Sequence, residues 1–299
     1  MNSSRVTRVA LCCGVSVRRF LGNCGNFHVA DCKVVTLWCA VSEVYILDIG
    51  KPVNPTITIG KKDTTVDLLG AKPEDVKYLC VYCDNKSADL SLLEDYPNVE
   101  RLFLNGDFAN VDDISGLKSL SNLTIRLTSD TALNNLYIPS LKSLSVYNKF
   151  NEGFDNLLTG SLEYLELMNI RGLSDLSFVE KLSGLKKLYL ESLPAVERLP
   201  DFEKMPNLYG LKIYELHKLN DIESLTRSDI RFLAITLAAD KLSGTKLAEI
   251  LLSMGSLERL SCMLDRSGGK RDQVLENRLN KAGKLDIWND FDMKEWLRL

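Results

Sequence analysis

The sequence predicts an α/β solenoid: a stacked coil with a parallel concave β-sheet, a mostly extended or 3₁₀ convex side, and a cap at each end. Three observations predict it. Leucine supplies 52 of the 299 residues, and 41 of them lie between residues 76 and 265. The pattern apolar-x-x-Leu-x-apolar occurs nine times, starting at Val76, Val99, Leu120, Leu141, Leu162, Leu185, Leu208, Ile230 and Leu257. Its second apolar position is Leu in every copy, and the steps between copies run from 21 to 27 residues. A fixed period of this length is the mark of stacked supersecondary units.

Composition bounds the rest. Apolar residues are 45% and charged residues 26%, as in an ordinary globular chain. Net charge is −3, so no global field points to nucleic acid or an anionic membrane. The eight cysteines show no paired zinc spacing. Cys80 and Cys83 form one C-x-x-C, but on a predicted strand, without the helix dipole that stabilises a redox thiolate. Reduced thiols favour a cytoplasmic setting.

Residues 1–43 read as a leader. Arg5, Arg8, Arg18 and Arg19 precede the first acid, Asp31. Val9 to Val17 is an apolar run of signal-peptide length, but Arg18 and Arg19 follow it and no small-residue cleavage site appears. A secretory segment, an organellar transit segment and a poorly ordered leader all fit. Val34 to Ile49 is apolar but carries Glu43 and Asp48, too short and too charged to span a bilayer. It reads as buried strand. Residues 44–75 are assigned to an N-terminal cap, with short strands at Thr56–Ile59 and Thr64–Leu68 around Gly60-Lys61-Lys62-Asp63.

Residues 76–265 are the nine repeats. Leu-x-Leu alternates with period two and is a short strand with one buried face. One repeat cannot bury that face alone; stacked repeats join the leucines into a single core. The 27 core positions hold Val, Leu, Ile and one Cys. Their burial supplies about 40–80 kcal/mol gross, most of it offset by lost chain entropy. The longest step, 27 residues, is explained by a helix over about 245–254: Leu247, Ile250, Leu251 and Met254 share one face, and Ser243 or Thr245 can cap it. Residues 266–299 form a C-terminal cap: a helix at about 270–282, then Ile287, Trp288, Phe291 and Trp296. These aromatics serve as an apolar lid or as a docking tail.

The repeat resembles the leucine-rich repeat family over residues 76–265, which implies a horseshoe-shaped solenoid. Residues 113–123, DISGLKSLSNL, resemble internalin repeats, and residues 185–211, LKKLYLESLPAVERLPDFEKMPNLYGL, resemble repeats of plant disease-resistance receptors. The family's Asn or Cys, three residues after the third apolar position, is missing. That slot holds Asp84, Asp107, Thr128, Lys149, Ile170, Leu193, Leu216, Ala238 and Asp265.

Period two also fixes which side chains line the concave face. Six of the ten tyrosines fall there: Tyr78, Tyr82, Tyr147, Tyr164, Tyr189 and Tyr214. Phe103 and Phe232 join them, while the 27 core positions hold no aromatic. Arg101, Arg126, Lys187, Lys212 and Arg259 face Glu166 and Glu191, opposite in sign to the whole chain. Tyrosine and arginine dominate interface hot spots, although strands favour tyrosine anywhere. The expected function is a non-catalytic protein-interaction module, a monomer that grips an acidic protein or peptide on this face. An activity in the flanks and a purely structural solenoid are the alternatives. An open face also predicts that Tyr164→Ala with Tyr189→Ala spares stability.

No enzyme chemistry is expected, and no cofactor, metal, nucleic acid or membrane span. Gly60-Lys61 and Gly269-Lys270 lack the rest of a phosphate-binding loop. His217 falls in a convex turn, far from any predicted nucleophile, and His28 sits between Cys24 and Cys32 at spacing irregular for zinc.

Overall fold

The computed structural model describes residues 54–289 except 62, 85–86, 129–135, 151 and 266–268, together with the backbone of 34–38 and 44–48, and Trp296. The chain divides into two compact units, Pro55–Phe291 and Met1–Asn54 with Asp292–Leu299.

In the smaller unit, strands β1 (Val34–Trp38) and β2 (Val44–Asp48) pair antiparallel. This agrees with the reading of Val34–Ile49 as strand. The two compact units part between Asn54 and Pro55. The targeting readings of the first residues, the setting of His28 and the role of Phe291 lie outside the described residues.

The larger unit is built on one 11-stranded sheet. Its nine predicted strands are β5 (Tyr78–Cys83), β7 (Arg101–Asn105), β9 (Asn122–Arg126), β10 (Ser143–Tyr147), β11 (Tyr164–Met168), β12 (Lys187–Glu191), β13 (Gly210–Tyr214), β14 (Phe232–Thr236) and β15 (Arg259–Met263). All pair in parallel, with each invariant leucine opposite the next, from Leu79↔Leu102 through Leu233↔Leu260. These nine leucines are at most 2% exposed. The alternation therefore reports a real inside and outside, and the core runs the length of the solenoid.

The predicted cap hairpin is also part of this sheet. β3 (Thr56–Ile59) lies parallel to β5, with Ile57 opposite Val81, so Ile57 extends the core column by one rung. β4 (Thr64–Asp67) folds back antiparallel on β3 and forms the sheet edge. Two short strands, β6 (Ala88–Asp89) and β8 (Phe108–Ala109), pair beside the first rungs.

The convex side is 3₁₀, as predicted, in Ser91–Asp95, Val111–Gly116, Glu152–Asn156, Ser177–Lys181, Phe202–Lys204 and Glu223–Arg227. Aspartates start several of these turns. Asp89, Asp175 and Asp221 accept the backbone N–H two residues on, at 2.8, 2.9 and 3.3 Å. Helix α1 (Gly244–Ser253) fills the longest repeat, and Ser243 caps it by accepting Lys246 N–H at 3.1 Å. Helix α2 (Lys270–Lys281) packs on α1. Gly244 permits this: a Cβ there would stand 2.2 Å from the Arg271 carbonyl oxygen.

Six of the nine repeat strands end in one device that the consensus does not announce. Gly106, Asn148, Asn169, Ser192, Glu215 and Leu237 all take positive φ just past their strands. Each donates its N–H to the last residue of the next strand, at 2.7–3.0 Å. The left-handed residue turns the chain off the sheet while keeping the ladder satisfied. In these six repeats it takes the place of the missing asparagine slot.

A polar clasp holds the chain that follows the last strand. Asp272 accepts Leu264 N–H at 2.7 Å and Asp265 N–H at 3.0 Å. The Arg271 guanidinium bonds Asp265 and the carbonyls of Ala239 and Leu264. Trp288 bridges Leu260 on the last strand and packs, half-buried, on the core with Ile287.

Candidate functional site

The register sorts the concave side chains into three columns. The first holds Tyr78, Arg101, Asn122, Ser143, Tyr164, Lys187, Gly210, Phe232 and Arg259. All but Gly210 are half-buried. The last column runs from Tyr82 through Asn105, Arg126, Tyr147, Met168, Glu191, Tyr214 and Thr236 to Met263; Tyr147 is buried and Met263 exposed. The middle column is the least accessible. Cys80, Thr124, Ser145, Glu166, Tyr189 and Ala234 are all buried; Phe103, Lys212 and Ser261 are half-buried.

The expectation of an open wall therefore fails at three residues. Glu166 is 0% exposed, Tyr147 4% and Tyr189 5%. One reason is the register. Parallel rungs about 4.8 Å apart stack Ser145, Glu166, Tyr189 and Lys212 directly beside one another. Ser145 Oγ donates to Glu166 at 2.7 Å, and the Lys212 ammonium sits 5.2 Å from the Tyr189 ring centroid. Tyr189 also donates its hydroxyl to Glu191. Truncating Tyr189 would open the interior of the wall, so Tyr189→Ala would not spare stability. The other eleven predicted residues, Tyr78, Tyr82, Arg101, Phe103, Arg126, Tyr164, Lys187, Lys212, Tyr214, Phe232 and Arg259, are half-buried.

The structure brings some of these together and keeps others apart. Tyr82 and Phe103 tilt against each other at 5.6 Å, and Arg126 lies 4.9 Å over the Tyr147 ring. Tyr209, one residue outside the period-two set, was not a predicted site residue. It meets Phe232 edge-on at 6.2 Å, and Lys187 reaches over it at 5.9 Å. Arg231 stands 5.5 Å over Phe232. Burial, then repulsion from Lys186, pulls the Lys187 ammonium below the ordinary lysine range. Burial, then the charge of Glu191, pushes the Tyr189 phenol far above the ordinary tyrosine range.

Beside the first column runs a row of ion pairs that the sequence pattern also left unmarked. Lys77 meets Glu100 at 2.9 Å, and Glu163 lies between Lys142 at 3.5 Å and Lys186 at 2.8 Å. Arg231 grips Glu258 with two bonds, at 2.6 and 3.0 Å. The hydrogen bond from Lys186 holds Glu163 below the ordinary carboxylate range. Register alone makes this row: each partner sits at the same position of the neighbouring repeat.

In-register parallel strands on a period of about 22 residues, with the invariant leucines stacked inside, decide the architecture. The chain is a leucine-rich repeat solenoid. No family model matches it, and no curated protein does. Among solved structures it is similar to an internalin of Listeria monocytogenes, 14% identical over 84% of this chain and 90% of that one, with a TM-score of 0.40. It is also similar to internalin C2 of the same organism, 21% identical over 55% of this chain and 72% of that one, TM-score 0.35. A leucine-rich repeat protein of Leptospira interrogans is 17% identical over 64% of this chain and 51% of that one, TM-score 0.41. None of these likenesses bears on what the repeat solenoid binds.

Among the described residues, no group of three or more His, Cys, Asp or Glu could hold a metal ion, and no helix is long and apolar enough to cross a membrane. His217 is exposed, 3.2 Å from Asp240.

Proposed function

We propose that the concave strand face binds a protein or peptide, and an acidic one. The observation that carries this reading is the first column. Tyr78, Arg101, Tyr164, Lys187, Phe232 and Arg259 place partly accessible rings and cations along one edge of the sheet. Rings that bury large area at little entropic cost, next to cations, are what interface hot spots are made of. Among the 27 concave positions, five cations face two carboxylates, and Glu166, one of those two, is buried. The accessible charge of the wall is therefore positive although the whole chain is at −3.

The test uses a photoreactive residue at position 164, with one at position 203, outside the strand face, as the control. Position 164 should crosslink an acidic protein that position 203 does not. Arg101→Glu with Arg259→Glu should lower the yield by about tenfold, equivalent to ~1.4 kcal/mol, with the fold intact. Leu165→Ala, from the core side of the same strand, should instead cost ~2–5 kcal/mol of stability. Unchanged capture by the charge-reversed protein would sink the reading.

A further inference from the structure

Rungs β12 and β13 carry a group of side chains outside the first column on which the binding reading rests. The buried Tyr189 hydroxyl donates to Glu191 Oε2. Lys212 covers the Tyr189 ring from the next rung, 5.2 Å away. Just beyond β13, Glu215 accepts Ser192 Oγ–H at 3.2 Å. The register sets Glu191 between Met168 and Tyr214, and Tyr189 between Glu166 and Lys212. The titratable and charged groups facing Glu191 are therefore Tyr189 from its own strand and Lys212, Tyr214 and Glu215 from the β13 rung. From β11, Glu166 and Tyr164 act on Tyr189.

These groups pull Glu191 in opposite directions. Burial is the largest influence and raises its carboxyl above the ordinary range, and the Glu215 charge adds to this. The hydrogen bond from Tyr189 and the attraction of Lys212 oppose it. Glu191 thus feels one ammonium and a second carboxylate from a half-buried wall, where charges act more strongly than in open solvent.

We propose that Glu191 is a proton-responsive switch built into the concave wall. A proton from solvent adds to its carboxylate while Tyr189 keeps its own proton. The wall at these rungs then carries one negative charge fewer. Its bond from Tyr189 loses charge assistance. The wall becomes more favourable to an acidic partner as pH falls. This consequence for a partner rests on the concave-face reading; the switch itself needs no partner.

The experiment follows the full chain by NMR, with ¹³C at the glutamate carboxyls and tyrosine ring carbons, from mildly alkaline to acidic pH. Glu191 should titrate with a midpoint above the ~4.3 of an unperturbed glutamate, and the Tyr189 ring should report the same midpoint. Glu215→Gln should lower that midpoint and Tyr189→Phe should raise it. Glu191→Gln should abolish the Tyr189 step. A Glu191 midpoint at or below the unperturbed value, a Tyr189 ring silent through the titration, or two variants moving the midpoint the same way would overturn the switch. None of those results touches the crosslinking experiment, so the two ideas fail separately.

Discussion

Gly106 offers the sharpest test of how the rungs are closed. It follows β7 with φ +129°, a conformation L side chains rarely adopt. A Cβ built there would lie 2.5 Å from the Cys83 carbonyl oxygen and 2.7 Å from the Cys83 Cβ. Both are strand atoms of the neighbouring rung, so neither can swing aside. Its N–H must meanwhile keep its bond to the Arg126 carbonyl, 3.0 Å away. Backbone strain of this kind costs about 1–3 kcal/mol, and forcing atoms into packed space about 1–3 kcal/mol more. The lower entropy of the unfolded alanine chain returns ~0.4–1 kcal/mol. Gly106→Ala should therefore destabilise by roughly 1–5.5 kcal/mol. Gly116 is the internal control: its φ is not in the left-handed region, and an added Cβ meets nothing within 4 Å. Gly116→Ala should stabilise by about 0.4–1 kcal/mol. Urea unfolding with a common slope measures both, and hydrogen exchange should place the Gly106→Ala loss at the rungs around β5, β7 and β9, since each repeat touches only its neighbours. If both alanines fall within ~0.5 kcal/mol of the parent, the close approach of these rungs is wrong.

Two further outcomes follow from polar groups. Asp272→Ala leaves the Leu264 and Asp265 N–H groups without their acceptor at the end of the solenoid. It should cost about 2–6 kcal/mol, from roughly 1–3 per donor left without a partner, read by thermal unfolding; Asp272→Asn, which keeps an acceptor, should recover part of it. The second concerns pH. The Glu191 carboxyl is raised in the fold, so the native state binds its proton before the unfolded chain does. Glu191 therefore adds stability as pH falls through its folded midpoint, an increment fully present below the unfolded value of ~4.3 and lost as pH rises. Glu191→Gln should lack this increment; parallel pH profiles for the two proteins would contradict it.

The fold was legible because its information is local and repeated. Leu165 sits inside because residues 164–168 alternate, and nine copies at nearly constant phase leave one way to stack them. The same alternation picked out the concave residues. It could not rank them by accessibility. Tyr164 and Tyr189 occupy equivalent-looking places around an invariant leucine, yet Tyr164 is half-buried and Tyr189 buried. The difference follows the column: Tyr164 lies in the first, and Tyr189 in the middle, least accessible one. The turn device escaped notice for another reason. Leu237 and Glu215 are not residue types that advertise positive φ, and their backbone is held by bonds to the following strand.

Sequence by itself determined the period, the inward leucines, a convex side that is extended or 3₁₀, and the helix in the longest repeat. Each of these depends on side-chain direction within one repeat, which backbone geometry fixes. Only the tertiary structure decided that the cap hairpin joins the sheet, that Glu166 and Tyr189 lie buried, and that Tyr189, Glu191, Lys212 and Glu215 form one electrostatic group. Those facts depend on register between segments about 22 residues apart. Desolvation and charge coupling act over a few ångströms in space, and no pattern along a single repeat records them.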